Sequence, residues 1–454
     1  MLSSYKNLGS FTLSLLTCAV LLGCHTEKDS YKGPVQGTTK IAKTENISIA
    51  SELKKVEVTK VSNSISPETS PSLFGEAQRF ESQAPDVTES PQYESSPAYG
   101  YYFGELVVNG KPQFRSQGQP EQSDASAVNI ISMQGWVRHP KITAKNENKK
   151  FPIVVLLHGM HSWNDPSYRG YDYLATNLAE QGYVVISLDA NQINALHQGE
   201  PSSQARAQLI LGTIDKLAQI DEFGGAGDLT ALKGKLDFNR IGLMGHSRGG
   251  QAVNLAIKFN TTRFGNDISI LKKAILAYPK QFALFPNLEA AAKLETDETL
   301  LSVISDNNIN FAKTTDSTRP YNFKAAITIG PTDFEQIKGI ANIPTATLLP
   351  SCDGDVSDLQ GAFSYDNNRF SLQHDNAPKY QVVIRGANHN FYNMVWTTDD
   401  FNVAESERDK ATYCSSFRPN TIRQAEADQH KMGQFLINSF FRLYVGDEQQ
   451  FKAY

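Results

Sequence analysis

The chain is short of long apolar runs. Its one extended apolar stretch, near the amino terminus, is too short to cross a bilayer as a stable helix, which excludes a polytopic membrane protein. Positive charge is not in excess. The formal net charge is -5, so there is no global attraction for phosphate and nucleic acid is not an expected partner; an anionic ligand would need a local site. No internal repeat is evident. With 40% hydrophobic and 20% charged residues, collagen-like, coiled-coil and wholly disordered readings also fail. What remains is a globular chain of 454 residues, enough for two or three domains or one large α/β domain with appendages.

Met1 to Ser10 carry one lysine, Lys6, and no acid, and the apolar run from Phe11 ends at Gly23, the pattern of a secretory signal. The string Leu21-Leu22-Gly23-Cys24 resembles the bacterial lipoprotein signal. That resemblance implies lipidation of Cys24, which becomes the mature amino terminus, and several acyl chains suffice for stable anchoring. The expected location is the bacterial cell envelope, at the outer membrane or cell surface. Of four cysteines, Cys18 leaves with the signal and Cys24 takes the lipid, so Cys352 and Cys414 remain. In an exported chain they are expected to form a disulfide.

Residues 1–23 are thus read as signal, 24–95 as a flexible tether rich in Ser, Thr, Glu, Lys and Pro, and 96–454 as the folded body. In the body, Tyr99 to Val108 and Val128 to Val137 read as opening antiparallel strands, with Asn109-Gly110 as a hairpin turn signal. Buried-strand runs at Pro152 to Leu157, Tyr183 to Leu188 and Arg240 to Met244 then alternate with helical patterns at Tyr171 to Gln181 and Ala205 to Ile220. Strand runs at Lys324 to Ile329, Thr345 to Leu349 and Tyr380 to Ile384 follow, and Asp428 to Tyr444 reads as a closing helix. This alternation predicts an α/β fold with a mostly parallel, doubly wound sheet.

The sharpest motif is Gly245-His246-Ser247-Arg248-Gly249, a G-x-S-x-G between a strand and a helix. Alone it is weak, with roughly 0.16 chance matches in a chain of this length. Its position makes it strong, because a strand-to-helix turn flanked by small residues projects the serine Oγ above a sheet. A serine hydroxyl needs a base in reach and a third group to hold the base. Downstream, Asp353 follows one strand and His389 the next, both at carboxyl ends, where open α/β sheets assemble their sites. Asp355 and Asp333 are alternative acids.

With these residues in place the chain resembles the α/β-hydrolase family over roughly Gln134 to Tyr444, most nearly its exported esterase, cutinase-like and dienelactone-hydrolase-like branches. The resemblance implies Ser247 as nucleophile, Asp353 as acid and His389 as base. Asp353 is preferred because Asp353-Gly354-Asp355-Val356 resembles the family's D-x-x-V turn, leaving Asp355 to bond its own turn. It also implies oxyanion donors at the Met160 and Arg248 N–H groups, with His158 buttressing the loop. Trp163, Tyr168 and Trp396 are candidates to line an acyl or aromatic pocket. The long stretch 261–321 is either a cap insertion or a peripheral decoration. The acid-rich Asp353 to Asp358 lacks the EF-hand pattern, so no metal is expected.

The expected activity is hydrolysis of a small or polymeric carboxylic ester through an acyl-enzyme, with no cofactor and with the membrane met through the lipid. Amide or peptide hydrolysis on the same fold is the nearest alternative. A non-catalytic surface binding protein on a hydrolase scaffold is the alternative of another class.

Overall fold

The computed structural model describes residues 90–110, 125–196, 202–261, 268–311, 320–334, 336, 340–369, 375–403, 413–415 and 421–453. The expected signal 1–23, Cys24 and the tether up to residue 89 lie outside the described residues.

Nine strands form one sheet: β1 (Tyr99–Asn109), β2 (Val128–Arg138), β3 (Phe151–Leu157), β4 (Val184–Leu188), β5 (Leu236–His246), β6 (Ile309–Phe311), β7 (Phe323–Ile329), β8 (Thr345–Pro350) and β9 (Lys379–Ile384). Their order is β6-β1-β2-β4-β3-β5-β7-β8-β9. β2 is antiparallel to β1 and to β4, and every pair from β4 to β9 is parallel. The expected α/β class with antiparallel opening strands is the one observed.

The helices are α1 (Asp172–Glu180), α2 (Asn191–Leu196), α3 (Ser202–Phe223), α4 (Arg248–Lys258), α5 (Ile268–Ala277), α6 (Leu288–Ala292), α7 (Glu298–Asp306), α8 (Gly361–Arg369), α9 (Asp400–Val403) and α10 (Glu426–Tyr444). Strand β3 shows why they lie on both faces. All seven of its residues are buried. Ile153, Val155 and Leu157 share one apolar cluster with Leu209 of α3 and Ala252 of α4, whereas Val154 and Leu156 share another with Leu174 of α1 and Phe441 of α10. A continuous apolar run is what a strand covered on both faces requires.

The structure revises one local expectation and adds three details. Asn109-Gly110 closes no two-residue turn: β1 and β2 pair, with Asn109 opposite Val128, but the connection spans the residues between them. Within 261–321, α6 and α7 are separate helices, each burying its own apolar residues. Residues just before 96 also contact the body: the Gln92 and Tyr93 N–H groups donate to the Glu180 carbonyl and Tyr93 packs edge-on against Phe151 at 5.6 Å. Finally, the described part of 261–321 packs at the sheet edge rather than over Ser247. α5 to α7 form a third apolar cluster with Val107 and Val128, and β6 pairs with β1. β6 stands five strands from β5, about 24 Å at the usual strand spacing.

Candidate active site

The turn between β5 and α4 is built by close contact. A Cβ at Gly245 would come within 2.2 Å of the Gly249 carbonyl oxygen, and one at Gly249 within 2.4 Å of the Leu157 carbonyl oxygen, so neither position admits a side chain. Between them Ser247 takes φ 58° and ψ -127°, a left-handed conformation that costs a non-glycine residue about 1–3 kcal/mol. The surroundings hold it there: the Ser247 N–H donates to the Ile329 carbonyl at 2.9 Å, and its carbonyl accepts from the Gly250 N–H at 2.8 Å. Ser247 is 2% exposed.

The loops after β8 and β9 run side by side. The Ser351 N–H donates to the Ile384 carbonyl at 3.0 Å, and the Cys352 N–H to the Ala387 carbonyl at 2.8 Å. The Cys352–Cys414 disulfide is formed, with its Cα atoms 5.4 Å apart. This pairing sets His389 Nδ1 2.8 Å from Asp353 Oδ2, with both residues buried. Asp353 Oδ1 accepts from the N–H groups of Asp355 and Val356 at 3.0 and 2.6 Å. Asp353 therefore does what was expected of Asp355, capping the turn while one oxygen faces the imidazole. Asp355 is 60% exposed and places Oδ2 3.4 Å from His389 Nε2. Asp333 lies after β7, where its N–H donates to Gln360 Oε1 at 3.1 Å.

Electrostatics separate the histidines. Burial alone lowers the His389 imidazole, and the carboxylates of Asp353, Asp355 and Asp400 outweigh it, holding His389 above the usual 6.5. His158 is pushed down to about 3, by burial first and then by Arg206, so it is neutral. It accepts from the Ala190 N–H at Nε2 and therefore carries its proton on Nδ1, which donates to the Gly159 carbonyl at 2.9 Å. Arg206 Nη2 reaches the same carbonyl at 3.5 Å. In a trans peptide the N–H is opposed to the C=O, so this hold turns the Met160 N–H away from Arg206. Gly159 itself abuts the Ser247 turn, since a Cβ there would lie 3.0 Å from Ser247 Oγ. Arg248 opens α4, immediately after Ser247.

Trp396 is buried against this cluster: its ring stacks on His161 at 4.9 Å and 12°, and lies 4.8 Å from His246 and 6.4 Å from His389. Trp163 is 58% exposed on the loop after β3, and Tyr168 is partly buried, its carbonyl accepting from Trp136 Nε1 and Ser187 Oγ. A concavity of about 440 Å³ at the opposite, amino-terminal edge of the sheet is lined by Tyr93, Lys149, Arg240 and Glu448 and shares no residue with the cluster. Its cations are already engaged, Lys149 with Tyr93 and Arg240 with Asp237, which marks it as a seam.

Sequence reading did not single out three residues that hold the His389 loop. Gln429 of α10 brackets Asn388, accepting its N–H at 3.0 Å and donating to its carbonyl at 2.8 Å. Asp400 accepts N–H groups from both loops. Gly330, at φ 45°, lets the end of β7 approach Asp353 and His389, where a Cβ would sit 2.9 Å from His389 Nδ1. None lies in a motif, and only the fold brings them to the site. Compared with known proteins, the sequence matches no family model and no curated protein.

Proposed function

We propose that the protein is a serine hydrolase of the α/β-hydrolase kind that cleaves carboxylic esters through an acyl-enzyme. The observation that carries this reading is the buried Asp353–His389 pair beside a left-handed Ser247 at the carboxyl edge of a parallel sheet. Strain of this kind persists only where its surroundings over-determine it. Ser247 Oγ attacks the ester carbonyl carbon while His389 Nε2 takes its proton. Asp353 keeps the imidazole proton on Nδ1 and stabilises the imidazolium. The tetrahedral oxyanion meets the N–H groups of Met160 and Arg248, and collapse expels the alcohol with the proton returned by His389. Water then attacks the acyl-enzyme by the same route.

Among the described residues His389 Nε2 makes no aligned hydrogen bond. Catalytic hydrogen bonds are commonly loose without substrate and tighten in the complex.

The test pairs a fluorophosphonate probe with p-nitrophenyl esters of graded chain length and the matching anilides. Labelling is expected at Ser247 alone, with esters turned over faster than anilides. Ser247→Ala is expected to remove labelling and to lower kcat by up to about 10⁶. Hydrolysis that survives this change at near wild-type rate refutes the mechanism, and a folded wild type with neither labelling nor turnover favours a binding protein.

A further inference from the structure

Resting on that reading, we propose that Asp400 is a positioning residue of the site, one carboxylate that fastens the acid loop to the base loop and so sets the Asp353–His389 bond. Its Oδ2 accepts the Gly354 N–H at 2.7 Å and the His389 N–H at 3.2 Å, while Oδ1 accepts the Asn390 N–H at 3.0 Å. Gly354 follows the acid and His389 is the base, so a single side chain spans the two loops whose separation decides whether Nδ1 meets Oδ2.

The fit is close from the backbone side too. A Cβ at Gly354 would fall 2.5 Å from the Asp400-side neighbour Phe401 Cα and 2.6 Å from the Asp400 carbonyl carbon, so the segment that carries Asp400 seats directly on the acid loop. The next residue back, Asp399, faces Asn388 Nδ2 at 3.4 Å and pairs with Arg423, which fixes the segment from its other side. Burial raises the Asp400 carboxyl, and His389 and the N–H groups of Asn390 and Gly354 pull it back down. Gln429 still holds Asn388 when Asp400 is changed, so the base loop keeps an anchor.

Asp400→Asn keeps the volume but presents an amide N–H to at least one backbone N–H. The experiment reads kcat and KM on a p-nitrophenyl ester, the thermal midpoint, and the far-downfield proton NMR signal of the His389–Asp353 bond, assigned by its loss in Asp353→Asn. The expected result is a kcat about 10²-fold lower, the effect of a shift of about 1 Å at the reacting groups, with KM little changed and the downfield proton lost or displaced. The titratable groups facing His389 are the carboxylates of Asp353, Asp355 and Asp400 and the imidazoles of His161 and His246, which burial keeps neutral. With Asp400 neutral, the acidic limb of kcat/KM is expected to move to lower pH.

Wild-type kcat in Asp400→Asn overturns the proposal. So does a lowered kcat with the proton signal unmoved, or a wild type in which Asp353→Asn removes no such signal. If Asp400→Asn does not fold, Gly354→Ala must reproduce the loss by pushing the Asp400 segment away, and wild-type behaviour there is equally decisive. The NMR comparison needs no turnover, so failure of the hydrolase reading, seen as absent fluorophosphonate labelling, stays separate from failure of this one.

Discussion

At the scale of residues, three carboxylates surround one imidazole and their contacts give them different work. Asp353 is buried and bonded to Nδ1, Asp400 holds backbone, and Asp355 stands 60% exposed near Nε2. Replacing the acid by its amide imposes the wrong tautomer on the base, so Asp353→Asn is expected to lower kcat by about 10⁴. Asp355→Asn is expected to keep kcat. Asp355 helps hold the His389 imidazole above 6.5, and a raised base is protonated and inactive up to a higher pH. Removing that carboxylate therefore moves the acidic limb of kcat/KM downward. Parallel pH–rate profiles of the two variants decide the assignment, and a collapse of kcat in Asp355→Asn with Asp353→Asn intact would reverse it. The choice among Asp353, Asp355 and Asp333 was only partly legible in the sequence, because residues two apart in a tight turn differ in direction rather than in environment.

At the scale of elements, the decisive unit is the pair of loops after β8 and β9. Backbone bonds, the Cys352–Cys414 disulfide, Gln429 and Asp400 all bear on them. The disulfide closes a separation of 62 residues that contains His389, and a loop of this length removes unfolded-state entropy worth roughly 4 kcal/mol. The Cys352→Ala, Cys414→Ala double variant is expected to lose up to that amount in a denaturant titration, with the midpoint falling and the slope rising as the unfolded chain expands. A midpoint equal to that of the wild type would show that the bridge adds nothing to stability. Elements carried by periodicity, such as β3 and α10, were readable because their burial pattern is local. The edge strand β6 was not, since three residues become a strand only where β1 offers its free hydrogen-bonding edge.

At the scale of the whole molecule, the antiparallel opening strands are locked to the parallel sheet by a buried ion pair. Arg138 at the end of β2 meets both oxygens of Asp172 in α1, at 2.6 and 2.9 Å, and also donates to the Ser96 carbonyl at 2.8 Å. Residues 92–96 join the body at the amino-terminal edge of the sheet, the edge away from Ser247. Attachment through a lipidated Cys24 would use that junction. Cys24→Ser is expected to move the protein from the membrane pellet to the soluble fraction, and continued pelleting with intact membranes would point to another attachment.

The sequence by itself determined the alternation of strand and helix, the Ser247 turn and the pairing of Cys352 with Cys414. These rest on local periodicity, on a motif whose glycines are needed for contact, or on simple cysteine arithmetic. Only the tertiary structure decided that Asp353 itself, rather than Asp355, caps the turn while facing the imidazole, that the insertion builds the far edge of the sheet, and that Asp400 and Gln429 hold the His389 loop. Those outcomes depend on which backbone N–H groups and apolar faces distant segments leave exposed to one another, and no stretch of sequence carries that information alone.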